Sequence, residues 1–501
     1  MIRSPDTLPS LETAAHPERL RRVAIEPVTR VEGHGKVTLL LDEENRVQQA
    51  RFHVVEFRGF ERFVQGRPYW EVPVMVQRLC GICPVSHHLA GAKAVDRLSG
   101  VDTLTPTADK MRRLLHFGQV LQSHALHFFH LCSPDLLFGF EAPVGQRHLL
   151  AVAAAYPDVA KKGVLLRKYG QEVIRITAGK RVHGSLAVPG GVNKHLSTAE
   201  RDRLQAGLGQ TLAWCREALD LAKRLYLEGG ARHRDFAPVR SPMLSLVAGD
   251  GALELYDGRL RARDASGLPL FDQTDPTAYE AVLQEEVKPW SYMKFPYLRV
   301  VGASAGWYRV GPLARLFNCD RVPTPAADTA RRELVAHDHG SARHASLAHH
   351  WARMIEMLHA AESIGALLAD PDLLAGELVV AGARRPVGVG VIEAPRGTLI
   401  HHYRIDENDQ IVHCNLIVST THNNQAMNEA VRAVARRYLD GRAITEPLLN
   451  HIEVAIRAYD PCLSCATHAL GRMPLEVEVR DAAGARVSAL GRDAEGGVWR
   501  T

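Results

Sequence analysis

The 501-residue sequence lacks the features of several common functional classes. No apolar run approaches the roughly 18 residues that a membrane span needs, and residues 1–22 lack the apolar segment of a signal peptide. The net charge is only +5 with opposite charges interspersed, so there is no basic track for nucleic acid. The glycine clusters EGHGKV, GDGALE and GVGVIE do not complete G-x-G-x-x-G. We therefore expect a cytoplasmic protein with no membrane span and no nucleic-acid partner, and any nucleotide site on another chain.

Cysteine is also scarce, with eight in the chain. In a reducing compartment, cysteines in close pairs are more often metal ligands or redox groups than disulfides. The four isolated cysteines are typical of small core residues: Cys132, Cys215, Cys319 and Cys414.

The hydrophobic pattern predicts an α+β, mainly α fold, with a long-helix bundle core and small peripheral antiparallel β-sheets. Alternation over 23–58 predicts an N-terminal β-hairpin region, and short β-type runs occur in 243–275 and 378–419. No internal repeat or linker is visible, so we expect one domain over 1–468, followed by an extension over 469–501. The predicted long helices are 107–132, 197–228, 329–369, 424–440 and 444–458.

Two C-x-x-C pairs are the most informative feature. RLCGICPVSHH contains Cys80 and Cys83, and DPCLSCATH contains Cys462 and Cys465. One such pair alone leaves redox, metal and chance readings open. The pairs are 379 positions apart, far beyond the roughly 15–20 residues of a local zinc ribbon, which indicates a site at the centre of the fold. Four soft thiolates suit zinc, iron or nickel.

A structural zinc held by four cysteines is the simplest interpretation of these pairs. The polar surroundings argue against it, because a closed zinc site needs no such setting. The polar and small residues beside the pairs are Arg78, Gly81, His87, Asp460 and His468.

Together these motifs resemble the two signature motifs of nickel-iron hydrogenase large subunits. Further matching motifs are RVEGH (30–34), FRGFE (57–61), EAPRG (393–397) and VSTTHN (418–423), so the resemblance runs from about residue 23 to 468. SHALHFFHL is most similar to the soluble NAD-reducing bidirectional type. The resemblance implies nickel bound by all four thiolates, with Cys80 and Cys462 terminal and Cys83 and Cys465 bridging to an iron that carries CN and CO. It implies reversible, heterolytic H2 cleavage, in which the proton goes to Cys462, Cys80 or Arg396 and leaves through Glu32.

The same resemblance assigns roles to residues around the metals. Arg396, after Pro395, would lie over the metal pair and donate to a cyanide, and Thr420 would donate to the other cyanide. His87 would donate near a bridging sulfur, and Glu32 would carry protons away from a terminal cysteine. Without the family, the ordinary interpretations are a surface arginine for Arg396 and a strand threonine for Thr420.

Glu32 has an ordinary interpretation too, as a carboxylate paired with Arg30 or Lys36 across a hairpin. Two positions depart from membrane-bound members of the family. Ser123 stands where they have an aspartate and His422 where they have a tryptophan, which changes the surroundings of the metals.

The resemblance also implies a magnesium or similar ion, held by Glu61, His468 and the carbonyl of Leu416. A maturation endopeptidase would remove 469–501 after His468, although the alternation in LEVEV also fits an ordinary C-terminal strand pair.

The four cysteines outside the two pairs are isolated in the sequence, which leaves none in this chain for iron–sulfur clusters. We therefore expect an iron–sulfur small subunit, and diaphorase subunits that carry FMN and NAD. The alternatives are a deazaflavin- or NADP-linked hydrogenase, a metal-free complex I-like quinone-binding scaffold, and a zinc-stabilised assembly protein.

Overall fold

The computed structural model describes residues 10–467, 475–481, 485–492 and 498–500. Its body is helical, and two helices continue into π-helical turns at His127–Cys132 and Ala435–Leu439. The helices are α1 Phe60–Phe63, α2 Val72–Met75, α3 Pro84–Leu98, α4 Pro106–Leu126, α5 Ser133–Phe138, α6 Leu149–Ala155, α7 Pro157–Ala178, α8 Thr198–Glu228, α9 Gly230–Arg234, α10 Pro312–Asn318, α11 Pro325–Ala336, α12 Ala348–Leu368, α13 Ser419–His422, α14 Asn424–Val434 and α15 Glu446–Ala458.

The strands form small sheets in which every pairing is antiparallel. They are β1 Arg21–Ile25, β2 Gly35–Leu41, β3 Val47–Val54, β4 Ala187–Val188, β5 Gly191–Val192, β6 Met243–Val247, β7 Arg259–Arg263, β8 Pro269–Thr274, β9 Leu283–Glu286, β10 Phe295–Leu298, β11 Val387–Ala394, β12 Gly397–Ile405, β13 Ile411–Ile417, β14 Leu475–Arg480, β15 Arg486–Arg492 and β16 Val498–Arg500.

Most of the predicted elements are confirmed, and the long helix α8 shows why. Its first turn has a capping box, in which the Ser197 hydroxyl accepts from the Glu200 N–H and the Glu200 carboxylate accepts in return. The N-terminal hairpin region is a three-stranded sheet, β1-β2-β3. The regions 243–275 and 378–419 contain the sheets β6-β7-β8 and β11-β12-β13.

The single helix predicted over 329–369 is wrong. α11 ends at Ala336 and α12 begins at Ala348. Between them Asp338, His339 and Gly340 adopt positive φ angles of 46°, 55° and 81°, which no right-handed helix can contain. His, Asp, Ser and above all Gly are weak helix formers, so residues 337–341 carried a local signal of this break that the prediction missed.

The segment around Glu32 and the segment around Cys462 meet next to the cysteine pairs. Glu32 and Cys462 form a parallel β-bridge, and the Leu463 N–H donates to the Glu32 carbonyl at 2.9 Å. Gly33 makes this approach possible, since its φ is +82° and a Cβ there would lie 2.5 Å from the Ser464 nitrogen. The larger of two hydrophobic clusters in the described residues runs from Leu11 to Ala466 and includes Cys462 and Leu463 of this junction.

Within the described ranges no helix is both long and apolar enough to cross a membrane.

Candidate metal centre

Four buried cysteine sulfurs converge at the centre of the protein. The sulfurs of Cys80, Cys83, Cys462 and Cys465 all lie within 4.8 Å of one another. Cys80 Sγ is 3.3 Å from Cys462 Sγ, and Cys83 Sγ is 3.6 Å from Cys465 Sγ. Four sulfurs this close, none of them in a disulfide, are a donor set for a soft metal ion. The geometry therefore fits the nickel and iron that the sequence predicts.

Local backbone structure places each pair. Cys83 precedes Pro84, the first residue of α3, and the N–H groups of Ile82 and Cys83 point to Cys80 Sγ at 3.2 and 3.3 Å. These donors stabilise a thiolate, as the sequence predicts for a helix start. On the other side, Asp460 adopts φ 54° after α15 and turns the chain so that Cys462 faces the first pair.

The pKa values of the four thiols shift in different directions. The hydrogen bond from Cys462 lowers the pKa of Cys80 well below its ordinary value of 9.0. Burial raises the pKa of Cys462 well above that value. The pKa values of Cys83 and Cys465 are also raised, so Cys80 is the sulfur of the four that most readily carries a negative charge.

Glu32 contacts Cys462 directly. Its Oε2 accepts from Cys462 Sγ at 2.9 Å and from the Ser464 N–H at 3.2 Å, and the Ser464 hydroxyl donates to Oε1. Burial and the nearby Cys80 raise the pKa of Glu32. The hairpin pairing with Arg30 is wrong, because that guanidinium binds Asp135 at 2.6 Å.

Arg396 is buried at the site, not exposed. Its Nε and Nη2 donate to the carbonyl and Oδ1 of Asp460 at 2.6 and 2.9 Å, and its Nη1 donates to the Ser123 hydroxyl at 3.4 Å. Burial acts to lower the pKa of Arg396, but Asp460 and the thiols outweigh it and raise that pKa well above its ordinary value. A permanent positive charge therefore lies beside the four sulfurs.

A buried ionic cluster holds the turn that presents Arg396. The Arg315 guanidinium donates to both carboxylate oxygens of Glu356 and to Glu393 at 2.7 Å. The same group donates to the carbonyls of Ala394 and Pro395 at 2.9 and 3.1 Å. Arg315 thus ties the residues directly before Arg396 to helices α10 and α12.

The two carboxylates of this cluster behave differently. Burial acts to raise the pKa of Glu356, but Arg315 and His124 outweigh it and lower that pKa to about 2. Burial raises the pKa of Glu393 in spite of Arg315. One guanidinium cannot fully balance two buried carboxylates, so Glu356 is its ionised partner.

Pro395, Thr420 and His87 line a narrow cavity next to the sulfurs, with a volume of about 10 Å³. That space is close to the size of one water molecule. The Thr420 hydroxyl accepts from the Cys462 N–H at 3.0 Å, which leaves its own proton free to donate. Its predicted contact to a cyanide is compatible with this arrangement and stays a prediction.

Glu61 and Leu416, two of the ligands predicted for the magnesium or similar ion, lie next to each other. The Leu416 N–H donates to Glu61 Oε1 at 2.8 Å, and the Lys294 ammonium donates to the same oxygen at 3.1 Å. A divalent ion at Glu61 would therefore share that carboxylate with Lys294 or displace it. His468, the third predicted ligand, lies outside the described residues, as does the point of cleavage after it.

Sequence reasoning gave no role to Asp460, Ser464 or Arg315, each of which holds a predicted site residue. Asp460 and Ser464 lie inside the DPCLSC motif, and that position could have indicated their roles. No motif in the sequence marks Arg315. His422, one of the two departures from membrane-bound members, is buried, and its Nδ1 lies 2.5 Å from the Tyr308 hydroxyl.

The isolated cysteines are buried core residues, as predicted. Cys132 differs from the other three because two histidines lie beside it. Its sulfur is 3.1 Å from His127 Nε2, and Cys132, His127 and His350 are close enough together to hold a metal ion. Burial and the adjacent Arg353 charge lower the pKa of His127 well below its ordinary value.

The mainly helical body, the peripheral sheets and four converging buried thiols define a metalloenzyme subunit built around one central soft-metal site. Residues 58–139 and 255–468 match the nickel-dependent hydrogenase family, and residues 22–57 match the HoxL-like family HoxH. The chain belongs to the nickel-dependent hydrogenase family.

Particular relatives agree with this membership. The chain is 51% identical over 480 residues to the NAD-reducing hydrogenase HoxS subunit beta of Cupriavidus necator, covering 93% of this chain and 98% of the relative. A crystal structure of an NAD+-reducing nickel–iron hydrogenase in the H2-reduced state matches with a TM-score of 0.88 and 58% identity, over 89% of this chain and 99% of that chain. A NiFeSe hydrogenase from Dm. baculatum, at 22% identity and a TM-score of 0.72 over 90% of this chain and all of that one, shares the fold.

Proposed function

We propose that this chain is the catalytic subunit of a reversible hydrogenase that passes electrons to an iron–sulfur partner and finally to NAD. The observation that carries the proposal is the convergence of four buried thiols beside a small cavity that the buried Arg396 also lines, with the half-buried Glu32 carboxyl in contact with Cys462. Bound to the four thiolates, a nickel–iron centre with CN and CO on its iron would supply the heterolytic cleavage of H2. This supports an enzyme over a closed structural zinc site or a metal-free scaffold.

The residues around the thiols would manage the proton and the charge. Cys462, in contact with Glu32 at 2.9 Å, can pass a proton to that carboxyl, and the upward shift of the Glu32 pKa by burial suits a group that must accept and release it. Arg396, fixed in direction by Asp460, provides positive charge and N–H donors toward the cavity. The narrow cavity admits a molecule as small as H2.

The remaining parts of the proposal concern other subunits and maturation. The name of the Cupriavidus necator relative supports NAD as the final acceptor. We expect an iron–sulfur small subunit, diaphorase subunits with FMN, and a cytoplasmic location for the complex. We also expect a divalent ion, magnesium or similar, at Glu61, Leu416 and His468, and removal of 469–501 by an endopeptidase.

The test is H2-dependent reduction of pyridine nucleotide by the enzyme purified with its partner subunits. We expect NAD+ to be reduced at a rate well above that with NADP+ or a deazaflavin. Reduction of an artificial dye but of neither nucleotide would exclude the NAD-linked assignment and leave the H2 chemistry intact. No H2-dependent reduction by a nickel-loaded enzyme would contradict the proposal as a whole.

A further inference from the structure

Three buried side chains, His87, His401 and Tyr403, form a hydrogen-bonded relay that begins at the cavity. The proton and charge roles proposed for Glu32, Cys462 and Arg396 do not involve this relay. His87 on α3 lines the cavity, and its Nδ1 is 3.2 Å from His401 Nε2. His401 Nδ1 is in turn 2.5 Å from the Tyr403 hydroxyl oxygen. His401 and Tyr403 are two residues apart on β12, so both side chains are on the same face of the strand. All three residues are at most 1% exposed.

The direction of the outer hydrogen bond follows from the tyrosine. Burial raises the pKa of Tyr403 well above its ordinary value, so the phenol keeps its proton. Across the described ranges, the hydrogen bond of this hydroxyl is the one to His401 Nδ1. If Tyr403 only accepted, its buried O–H would have no acceptor, which is costly. Tyr403 therefore donates, and His401 Nδ1 accepts.

The inner hydrogen bond then has one direction as well. A neutral imidazole carries one N–H, so a His401 ring that accepts at Nδ1 has its proton on Nε2. That proton is donated to His87 Nδ1. Burial lowers the pKa of His87 to about 4, so this ring is also neutral and its own proton lies on Nε2.

We propose that Tyr403 and His401 are positioning residues that fix the tautomer of His87, so that an N–H donor and not a lone pair faces the cavity beside Cys83 and Cys465. The inference rests on the proposed function, since the donor acts on the group that the cysteines hold. An N–H draws electron density from a nearby sulfur or diatomic ligand, whereas a lone pair would repel it.

The chain contains a matched control next to this relay. His402, adjacent on β12, points to the opposite face, and its Nδ1 is 3.1 Å from the buried Tyr279 hydroxyl. Tyr279→Phe therefore removes a hydroxyl from the same kind of tyrosine–histidine pair, together with a hydrogen bond that Asn415 donates to it at 3.1 Å. The histidine of this pair is not among the residues that line the cavity.

The experiment compares infrared spectra of the CO and CN ligands in the enzyme purified with its partner subunits. In Tyr403→Phe both His401 tautomers become accessible, so we expect a second, displaced set of bands and a loss of turnover of about tenfold. Tyr279→Phe should keep the single wild-type set. A Tyr403→Phe spectrum identical to wild type, or equal displacement in both variants, would refute the relay.

A second variant tests the hydrogen-bond logic itself. In His401→Gln the amide oxygen can accept from Tyr403 while the amide N–H donates to His87, so this variant should retain the wild-type bands. His401→Met can do neither and should reproduce the Tyr403→Phe spectrum. Displaced bands in His401→Gln would count against the tautomer mechanism. Absence of bands in the wild type itself would defeat the proposed function, and this inference with it.

Discussion

Arg315→Met removes the cation at the centre of the buried cluster behind Arg396. The methionine fills much of the volume, but Glu356 and Glu393, both fully buried, lose their shared guanidinium. The carbonyls of Ala394 and Pro395 lose a donor at the same time. Removing one partner of a buried ion pair costs about 3–5 kcal/mol, because the remaining charge is left without compensation.

This cost converts to a melting temperature. Unfolding entropies of roughly 2.1 cal/mol/K per residue give roughly 1 kcal/mol/K for a chain of 501 residues. A loss of about 4 kcal/mol should therefore lower Tm by about 4 °C. Differential scanning calorimetry of the purified chain measures the shift.

The control is Arg321→Met, which removes an arginine paired with Asp250 where both side chains are more than half exposed. Exposed pairs contribute about 0–1 kcal/mol, so Tm should change by less than about 1 °C. Adding Glu356→Met to Arg315→Met removes one stranded carboxylate and should recover part of the loss. Equal Tm values for Arg315→Met and Arg321→Met would show that the cluster does not stabilise the fold in this way.

Three further predictions concern the proton, the metal and the pH. Glu32→Gln keeps the shape but cannot carry a proton, so turnover in an H2-dependent dye assay should fall about a hundredfold or more with nickel content unchanged; normal turnover would assign the proton to another group. Cys465→Ser should leave only a small fraction of the wild-type nickel by elemental analysis, and full loading would contradict a four-thiolate site. The Glu356 pKa lies at about 2, below its ordinary 4.5, so its stabilisation is complete above about pH 4.5 and is lost as pH falls toward 2. In acid melts Arg315→Met should lack the part of the pH dependence due to Glu356; an unchanged acid profile would show that this pair does not set it.

Parts of the site could be predicted from the sequence because metal binding requires particular residue types at a fixed spacing. Two C-x-x-C motifs identified the sulfurs, and the residues of RVEGH and EAPRG do lie beside them. Helix α8 could be predicted because Ser197 and Glu200 give its first turn a local signal.

What could not be predicted depends on long-range contacts. Arg315 meets Glu356 and Glu393 from separate elements, and no local pattern marks such a cluster. Lys294 reaches Glu61 across more than 200 positions, which changes the charge at the predicted ion site. The break before α12 is different, because the weak helix formers Asp338, His339 and Gly340 mark it locally.

Infrared absorption of the nickel-loaded enzyme tests the central claim most directly. If Cys80, Cys83, Cys462 and Cys465 hold a nickel–iron centre, the spectrum must contain CO and CN stretching bands, which side chains do not produce. The proposal predicts such bands, and it predicts that they disappear in Cys465→Ser. A nickel-loaded sample with no absorption in that region would contradict it.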